Sequence, residues 1–151
     1  MPKASVKRLI ECEKDDLIKL VLDIEKYPEF VPFCFDAKVY EEKNQGDLIK
    51  IIADLTIGKG PFKDTYKSDV VLDKRKDTIF VKNIEGPLNH LSNSWTFTDK
   101  QNGITEIAFD IDFEIKNKFL NSLMVVSFQF GLEKIAEAFQ KRAEELFGSS
   151  K

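Results

Sequence analysis

Residues 117–147 read NKFLNSLMVVSFQFGLEKIAEAFQKRAEELF, a run with no proline and one glycine, Gly131. As a single helix it would span roughly 45 Å, longer than a domain of this size needs merely to cover a core. Its two halves differ. From Phe128 onward, Phe128, Leu132, Ile135, Phe139, Ala143 and Leu146 recur every three or four residues, while Glu133, Lys134, Glu137, Lys141, Glu144 and Glu145 take the other side. That is the pattern of an amphipathic helix laid on a core. Between Phe119 and Phe130 the apolar residues Phe119, Leu120, Leu123, Met124, Val125, Val126, Phe128 and Phe130 go almost all the way round. This half is expected to meet protein, ligand or membrane on more than one side, and the rest of the chain must supply those surroundings.

Upstream, the period is alternating for about eighty residues. Strands are predicted at 35–42, 48–57, 62–72, 78–84, 90–97 and 104–115. Turn signals separate most of them: Asn44-Gln45-Gly46-Asp47, Gly58-Lys59-Gly60-Pro61, Glu85-Gly86-Pro87 and Lys100-Gln101-Asn102-Gly103. The last strand is the clearest, with Ile107, Phe109, Ile111, Phe113 and Ile115 on one face and Glu106, Ala108, Asp110, Asp112 and Glu114 on the other, as an antiparallel sheet with one wet side requires. Ile49, Ile51, Ala53, Leu55 and Ile57 repeat the pattern, as do Phe62, Tyr66, Val70 and Leu72.

Ahead of these strands, residues 3–13 alternate loosely around Val6 and Ile10 and form a first strand. Lys14-Asp15-Asp16 then places acids where a helix macrodipole favours them, and Leu17, Leu20, Val21 and Ile24 give that helix its buried stripe. It stops before Tyr27-Pro28. Pro28 and Pro32 disfavour helical geometry at Tyr27 and Val31, so residues 27–34 form at most a short irregular helix, unusually apolar for a connection.

The order β-α-α-β6-α predicts a single α+β domain over residues 1–151, in which a curved antiparallel sheet of about seven strands wraps around the long C-terminal helix. Between such a sheet and a helix there is room that side chains need not fill. An empty cavity costs on the order of 24 cal/mol per Å³, so a space of roughly 300 Å³ or more is better explained by an occupant. Thirteen phenylalanines against one tryptophan and three tyrosines suit a large apolar interior.

A formal charge of -3 and a pI near 5.3 argue against a general binder of DNA or RNA, because neutralising phosphates needs a basic face. The N-terminus lacks the apolar core of a secretory signal, and no stretch approaches the roughly 20 apolar residues of a membrane span. The expected location is the cytoplasm, with peripheral contact at the inner face of the membrane as an option. Cys12 and Cys34 lack CxxC spacing and read as reduced packing residues. His90 is the one histidine, so no zinc site or acid–base dyad can be built from several.

Four stretches then carry a likeness: Tyr27-Pro28-Glu29-Phe30-Val31-Pro32-Phe33-Cys34; Glu85-Gly86-Pro87-Leu88-Asn89-His90-Leu91; Trp95-Thr96-Phe97; and Asp112-Phe113-Glu114-Ile115 leading into the terminal helix. In order and spacing the chain resembles the START-like superfamily, and within it the coenzyme Q-binding and polyketide-cyclase-like proteins, some of whose bacterial members are described as ribosome-association toxins. Leu88 departs from the phenylalanine that many relatives carry after Gly-Pro. The resemblance implies a helix-grip (START/Bet v 1-like) fold with a hydrophobic tunnel and no catalytic residues. It implies ubiquinone or a similar polyprenyl lipid as ligand, with no cofactor or metal required. A lipid carrier for respiration would contact the membrane and respiratory complexes; a toxin would contact the large ribosomal subunit; a third role is that of a cyclase or aromatase.

The implied tunnel draws on Phe30, Val31 and Phe33 from the proline-bracketed segment, and on Leu55, Phe62 and Tyr66 from two strands. Leu88, Leu91 and Trp95 follow on the next, Phe109, Ile111 and Phe113 on the last, and Leu123, Val126 and Phe130 on the helix. Each has a plainer reading. Trp95 could stack on a quinone ring or simply fill the core. His90 reads as a rim residue. Asp110, Asp112 and Glu114 read as a solvated face. Lys59, Lys63, Lys67, Lys74, Arg75 and Lys76 could meet anionic lipid or ribosomal RNA, or simply be solvated. Gly131 marks either close packing or a hinge. Gly58-Lys59-Gly60-Pro61 reads as a hairpin turn, not a phosphate loop.

Overall fold

The computed structural model describes residues 3–59, 62–85, 88–115 and 118–147, with side chains except at 3, 59, 62, 64, 85, 88–91, 113–115 and 118–130. Strand β1 (Lys3–Ile10) leads into helix α1 (Lys14–Leu22) and a 3-10 helix (Ile24–Glu29). Strands β2 (Cys34–Gln45), β3 (Leu48–Lys59), β4 (Phe62–Asp73), β5 (Thr78–Glu85), β6 (Leu88–Asp99) and β7 (Thr105–Ile115) follow, and helix α2 (Lys118–Phe147) closes the chain. All seven strands form one antiparallel sheet in the order β1-β7-β6-β5-β4-β3-β2. This is the predicted helix-grip architecture, with the first strand closing onto the last.

The predicted first strand is shorter than its alternation suggested. It ends at Ile10, where the Cys12 amide donates to the Ile10 carbonyl at 2.9 Å and turns the chain into α1. Asp15 and Asp16 occupy the first turn of α1, and Leu17, Ile18, Leu20 and Val21 face inward. Pro28 lies inside the 3-10 helix, where its missing N–H removes no α-helical bond. The β4–β5 hairpin carries neither glycine nor proline. Asp77 takes a left-handed φ of 52°, and the Asp73 carboxylate accepts from the amides of Arg75 and Lys76 at 3.0 and 3.4 Å, so aspartates do the work of glycine there.

Register fixes what meets on the inner face. One row runs Ile49, Leu72, Ile79, Trp95, Phe109 and Val6 across the sheet; the next runs Ile51, Val70, Val81, Asn93, Ile111 and Ala4; a third holds Ala53, Ser68 and Asn83. Helix α2 covers the first row with Leu132, Ala136, Phe139 and Ala143, each 2% exposed or less. Leu146, expected in that stripe, is 54% exposed, and Ile135 is only partly buried. Leu146 lies past the edge of the core, and the buried stripe runs through Ala136 in place of Ile135.

Candidate functional site

The solid part of the interior is aromatic. Trp95 stacks on Phe109 with centroids 4.2 Å apart, and Phe139 meets Trp95, Phe30 and Tyr27 edge-on at 5.0, 5.1 and 5.4 Å. Trp95 and Phe109, both expected in a tunnel wall, belong to this plug and are 5% and 6% exposed.

Beyond the plug, packing loosens in a definite direction. Along β3, Ile51 and Ala53 are buried but Leu55 and Ile57 only partly so; along β7, Ile107 and Phe109 are buried but Ile111 only partly so. Leu55 and Ile111 are thus apolar side chains on the concave face without full cover from the described residues. Phe62, Leu88, Leu91, Phe113, Leu123, Val126 and Phe130 lie outside the described side chains, as does His90.

The segment around the 3-10 helix is strapped to the second half of α2. The Tyr27 hydroxyl donates to the Val21 carbonyl, Arg142 pairs with Glu29 at 2.7 Å, and the Arg142 guanidinium lies 5.1 Å from the Phe30 ring centre. Phe30 and Val31 are partly buried against the core. Phe33 has φ of 70°, costly for a bulky residue, and its carbonyl accepts from the Gly58 amide at 2.9 Å. The geometry brings Phe30, Val31 and Phe33 to one edge of the hollow side and Tyr66, Leu55 and Ile111 to its sheet wall.

Polar groups also face inward at the start of the loosened region, and sequence reading passed over two of them. Ser68 is wholly buried, and the Oδ1 of Asn93 is enclosed without a hydrogen-bond partner. Burial holds the phenol of Tyr66, two residues along β4, well above its ordinary pKa, and a side-chain hydrogen bond with Ser68 offsets part of that rise. A buried polar atom left unsatisfied costs about 1–3 kcal/mol, so the Asn93 Oδ1 is an unusual feature of this wall. Their sequence signal was available: Ser68 and Asn93 interrupt the inward series Tyr66-Val70-Leu72 and Trp95-Phe97.

Burial also raises the thiols of Cys12 and Cys34 to about 11. Both are unpaired, as expected of packing residues. No cluster of metal-ligating side chains occurs among the described residues. On the outer face, an open groove of about 540 Å³ is lined by Ser5, Phe80, Ser92, Ser94, Asp110 and Asp112 together with Ala4, Asn93 and Ile111. It lies across the sheet from the aromatic plug. Also on the surface, Lys63 lies 4.3 Å from the Phe35 ring centre, and Lys38 and Lys67 lie 5.0 and 5.3 Å from that of Tyr40. Both rings are about half exposed, at 46% and 52%.

Residues 10–140 match the family described as polyketide cyclase / dehydrase and lipid transport. The chain belongs to that family. A ribosome association toxin, RatA of Rickettsia prowazekii, is 31% identical over 142 residues, spanning 92% of this chain and 94% of its own. The mitochondrial coenzyme Q-binding protein COQ10 of Dictyostelium discoideum is 32% identical over 140 residues, spanning 90% of this chain and 66% of its own. Among solved structures, an 18 kDa protein of Caulobacter crescentus is 25% identical with a TM-score of 0.79, covering 97% of this chain and 98% of that one. A START superfamily protein of Mycobacterium smegmatis is similar in fold alone, with a TM-score of 0.79 at 17% identity over 97% of this chain and 99% of that one. This member of the polyketide cyclase / lipid transport family is thus a START-like protein whose concave apolar face can take a hydrophobic ligand. No helix among the described residues is long and apolar enough to cross a membrane.

Proposed function

We propose that this protein is a non-catalytic carrier of ubiquinone or a similar polyprenyl lipid, serving respiratory electron transport from the inner face of the membrane. The observation that carries the reading is the inner wall itself: apolar residues such as Leu55 and Ile111 lose cover beyond the aromatic plug, and a polar atom, the Asn93 Oδ1, stands unsatisfied at that boundary. An isoprenoid tail with an oxygenated head matches such a wall. The likeness to a coenzyme Q-binding protein supports the same ligand. The described polar side chains on the wall are hydroxyls and carboxamides, and the one phenol among them, Tyr66, is held neutral by burial; this favours binding over acid–base chemistry, with no cofactor needed.

Exchange with a bilayer follows from simple energetics. A buried methylene gains about 0.8 kcal/mol relative to water, but a lipid leaving a membrane is already dry, so transfer into a protein hollow is nearly balanced and reversible. The test is extraction of the purified protein with organic solvent followed by mass spectrometry, alongside transfer of ubiquinone between liposomes. Co-purified polyprenyl quinone and protein-dependent transfer are expected. Absence of any bound lipid together with no transfer would remove the reading.

A second reading is association with the large ribosomal subunit, favoured by the likeness to RatA and by the exposed rings of Phe35 and Tyr40 under Lys63, Lys38 and Lys67. Aromatic faces with flanking lysines suit unpaired bases and phosphates. Co-sedimentation with large subunits, lost on Lys38→Glu with Lys63→Glu, would establish it.

A further inference from the structure

The outer face of the sheet carries a feature that holding a lipid does not use, the open groove of about 540 Å³. Register builds it. Phe80, Ser94, Asp110 and Ser5 stand side by side on β5, β6, β7 and β1, and Ser92 and Asp112 stand next to them one outward row along. Ala4, Asn93 and Ile111 send their side chains to the inner face, so between the three serines the floor is main chain. The small residues leave depth, and Phe80, 48% exposed, supplies a wall. Strand spacing sets the backbones of Phe80 and Asp110 roughly 10 Å apart, and strand rise sets those of Asp110 and Asp112 about 7 Å apart. The described lining holds two carboxylates and no basic side chain.

We infer that this groove docks an arginine-bearing loop of a membrane protein, with the guanidinium against Asp110 and its stem over the Phe80 ring. Arginine suits both ends of the trench: its fork pairs with a carboxylate through two parallel bonds, and its flat head and apolar stem pack on an aromatic face, which a compact ammonium does less well. A space of this size exceeds one side chain and takes a short peptide segment. The choice of partner rests on the carrier reading above. A carrier at the inner face of the membrane meets the cytoplasmic loops of membrane proteins, and those loops carry an excess of lysine and arginine. An acidic trench on a chain of net charge -3 complements them and steers the encounter. Because the groove and the hollow lie on opposite faces of the sheet, a docked partner leaves the lipid path open.

The test is an amide NMR titration of the full chain with three blocked glycine peptides, carrying a pair of arginines, of lysines or of citrullines. The arginine peptide is expected to shift the amides of Ser5, Phe80, Ser94 and Asp110 and to bind more tightly than the lysine peptide, with the uncharged citrulline peptide weakest. Asp110→Asn should weaken arginine-peptide binding about tenfold, the worth of a hydrogen bond to a charged group. Phe80→Ala should weaken it roughly threefold, as loss of an exposed cation–π contact does. Both side chains are exposed, so thermal midpoints should stay near that of the parent. A second readout is ubiquinone transfer to phosphatidylcholine liposomes that display the arginine peptide on a lipid anchor: the parent should deliver faster than to bare liposomes, and Asp110→Asn should remove that gain while leaving the bare rate as it is. Equal affinity for arginine and citrulline peptides, amide shifts confined to other surfaces, or parent-like binding by Phe80→Ala overturns the docking site. Shifts at the groove that grow with protein concentration alone would assign it to a second copy of the chain and overturn it as well. Failure of transfer to bare liposomes counts against the carrier reading instead, and the peptide titration, which needs no lipid, still decides whether the groove takes arginine.

Discussion

Gly131 on α2 faces the edge of the Phe33 ring: a Cβ at Gly131 would lie 3.5 Å from Cε2 of Phe33 and 3.9 Å from Cζ. Those are ordinary contact distances, so the glycine marks a close approach but the space admits one methyl group. Its backbone makes no demand that alanine cannot meet, because it lies within the helix. Gly131→Ala should therefore stabilise the protein by about 1 kcal/mol through helix propensity, raising the melting temperature by about 2–4 °C. Gly131→Leu should do the opposite, since its branches would displace a ring whose own backbone is already in the left-handed region. Paired denaturation curves decide it, and a destabilising alanine would show that the helix must flex at this point.

Phe139 is the keystone of the plug, 1% exposed and edge-on to Tyr27, Phe30 and Trp95. Phe139→Ala should cost about 3–5 kcal/mol, the largest loss among single core truncations on α2. Because the plug is separate from the loosened wall, residual folded protein at low temperature should still bind lipid. Urea titration followed by tryptophan fluorescence reports the stability loss, as Trp95 is the sole tryptophan, and ubiquinone transfer between liposomes at low temperature reports the binding.

What the sequence made legible was what periodicity encodes. Alternation over 104–115 and 48–57 found β7 and β3, and the change of period found α2. The strand order followed, because short turns leave a meander few other ways to pair. Three features were not legible for physical reasons. The β4–β5 turn rests on aspartate side chains bonding to backbone amides, which composition does not flag as a breaker. The meeting of Lys38 and Lys67 over Tyr40 depends on an irregularity between Val39 and Glu41 that shifts the register of β2 on β3. The polar groups on the wall were hidden because Ser68 and Asn93 look like lapses in an apolar series until the register shows that both lie on the inner face.

Several neutral acids are wholly or partly buried, Tyr27, Tyr66 and Cys34 near one another and Cys12 apart, and this sets a direction for pH dependence. Cys12 and Cys34 have folded pKa values of about 11 against 9.0 unperturbed, and Tyr27 and Tyr66 are raised by burial in the same sense. A raised folded pKa for an acid means the neutral form is favoured in the fold. The associated stability is complete below about pH 9 and is lost as pH climbs toward 11. Urea midpoints should therefore be flat from pH 7 to 8.5 and fall steeply above 9. Cys12→Ala combined with Tyr66→Phe should flatten that fall; an unchanged slope would place the alkaline transition elsewhere.

Tyr27 ties the strap to the domain through one bond and two ring contacts: its hydroxyl donates to the Val21 carbonyl at the end of α1, and its ring meets Phe30 and Phe139. Tyr27→Phe keeps the rings and removes the donor, leaving the Val21 carbonyl without this partner, so a loss of about 1–3 kcal/mol is expected. Because Phe30, Glu29 and Phe33 hold the strap independently to Phe139, Arg142 and the Gly131 turn of α2, the edge of the hollow should keep its shape. Lipid affinity measured well below the melting temperature should then change by less than about threefold, under 1 kcal/mol. A much larger loss of affinity would mean that the tyrosine hydroxyl serves the ligand, which its donation to Val21 argues against.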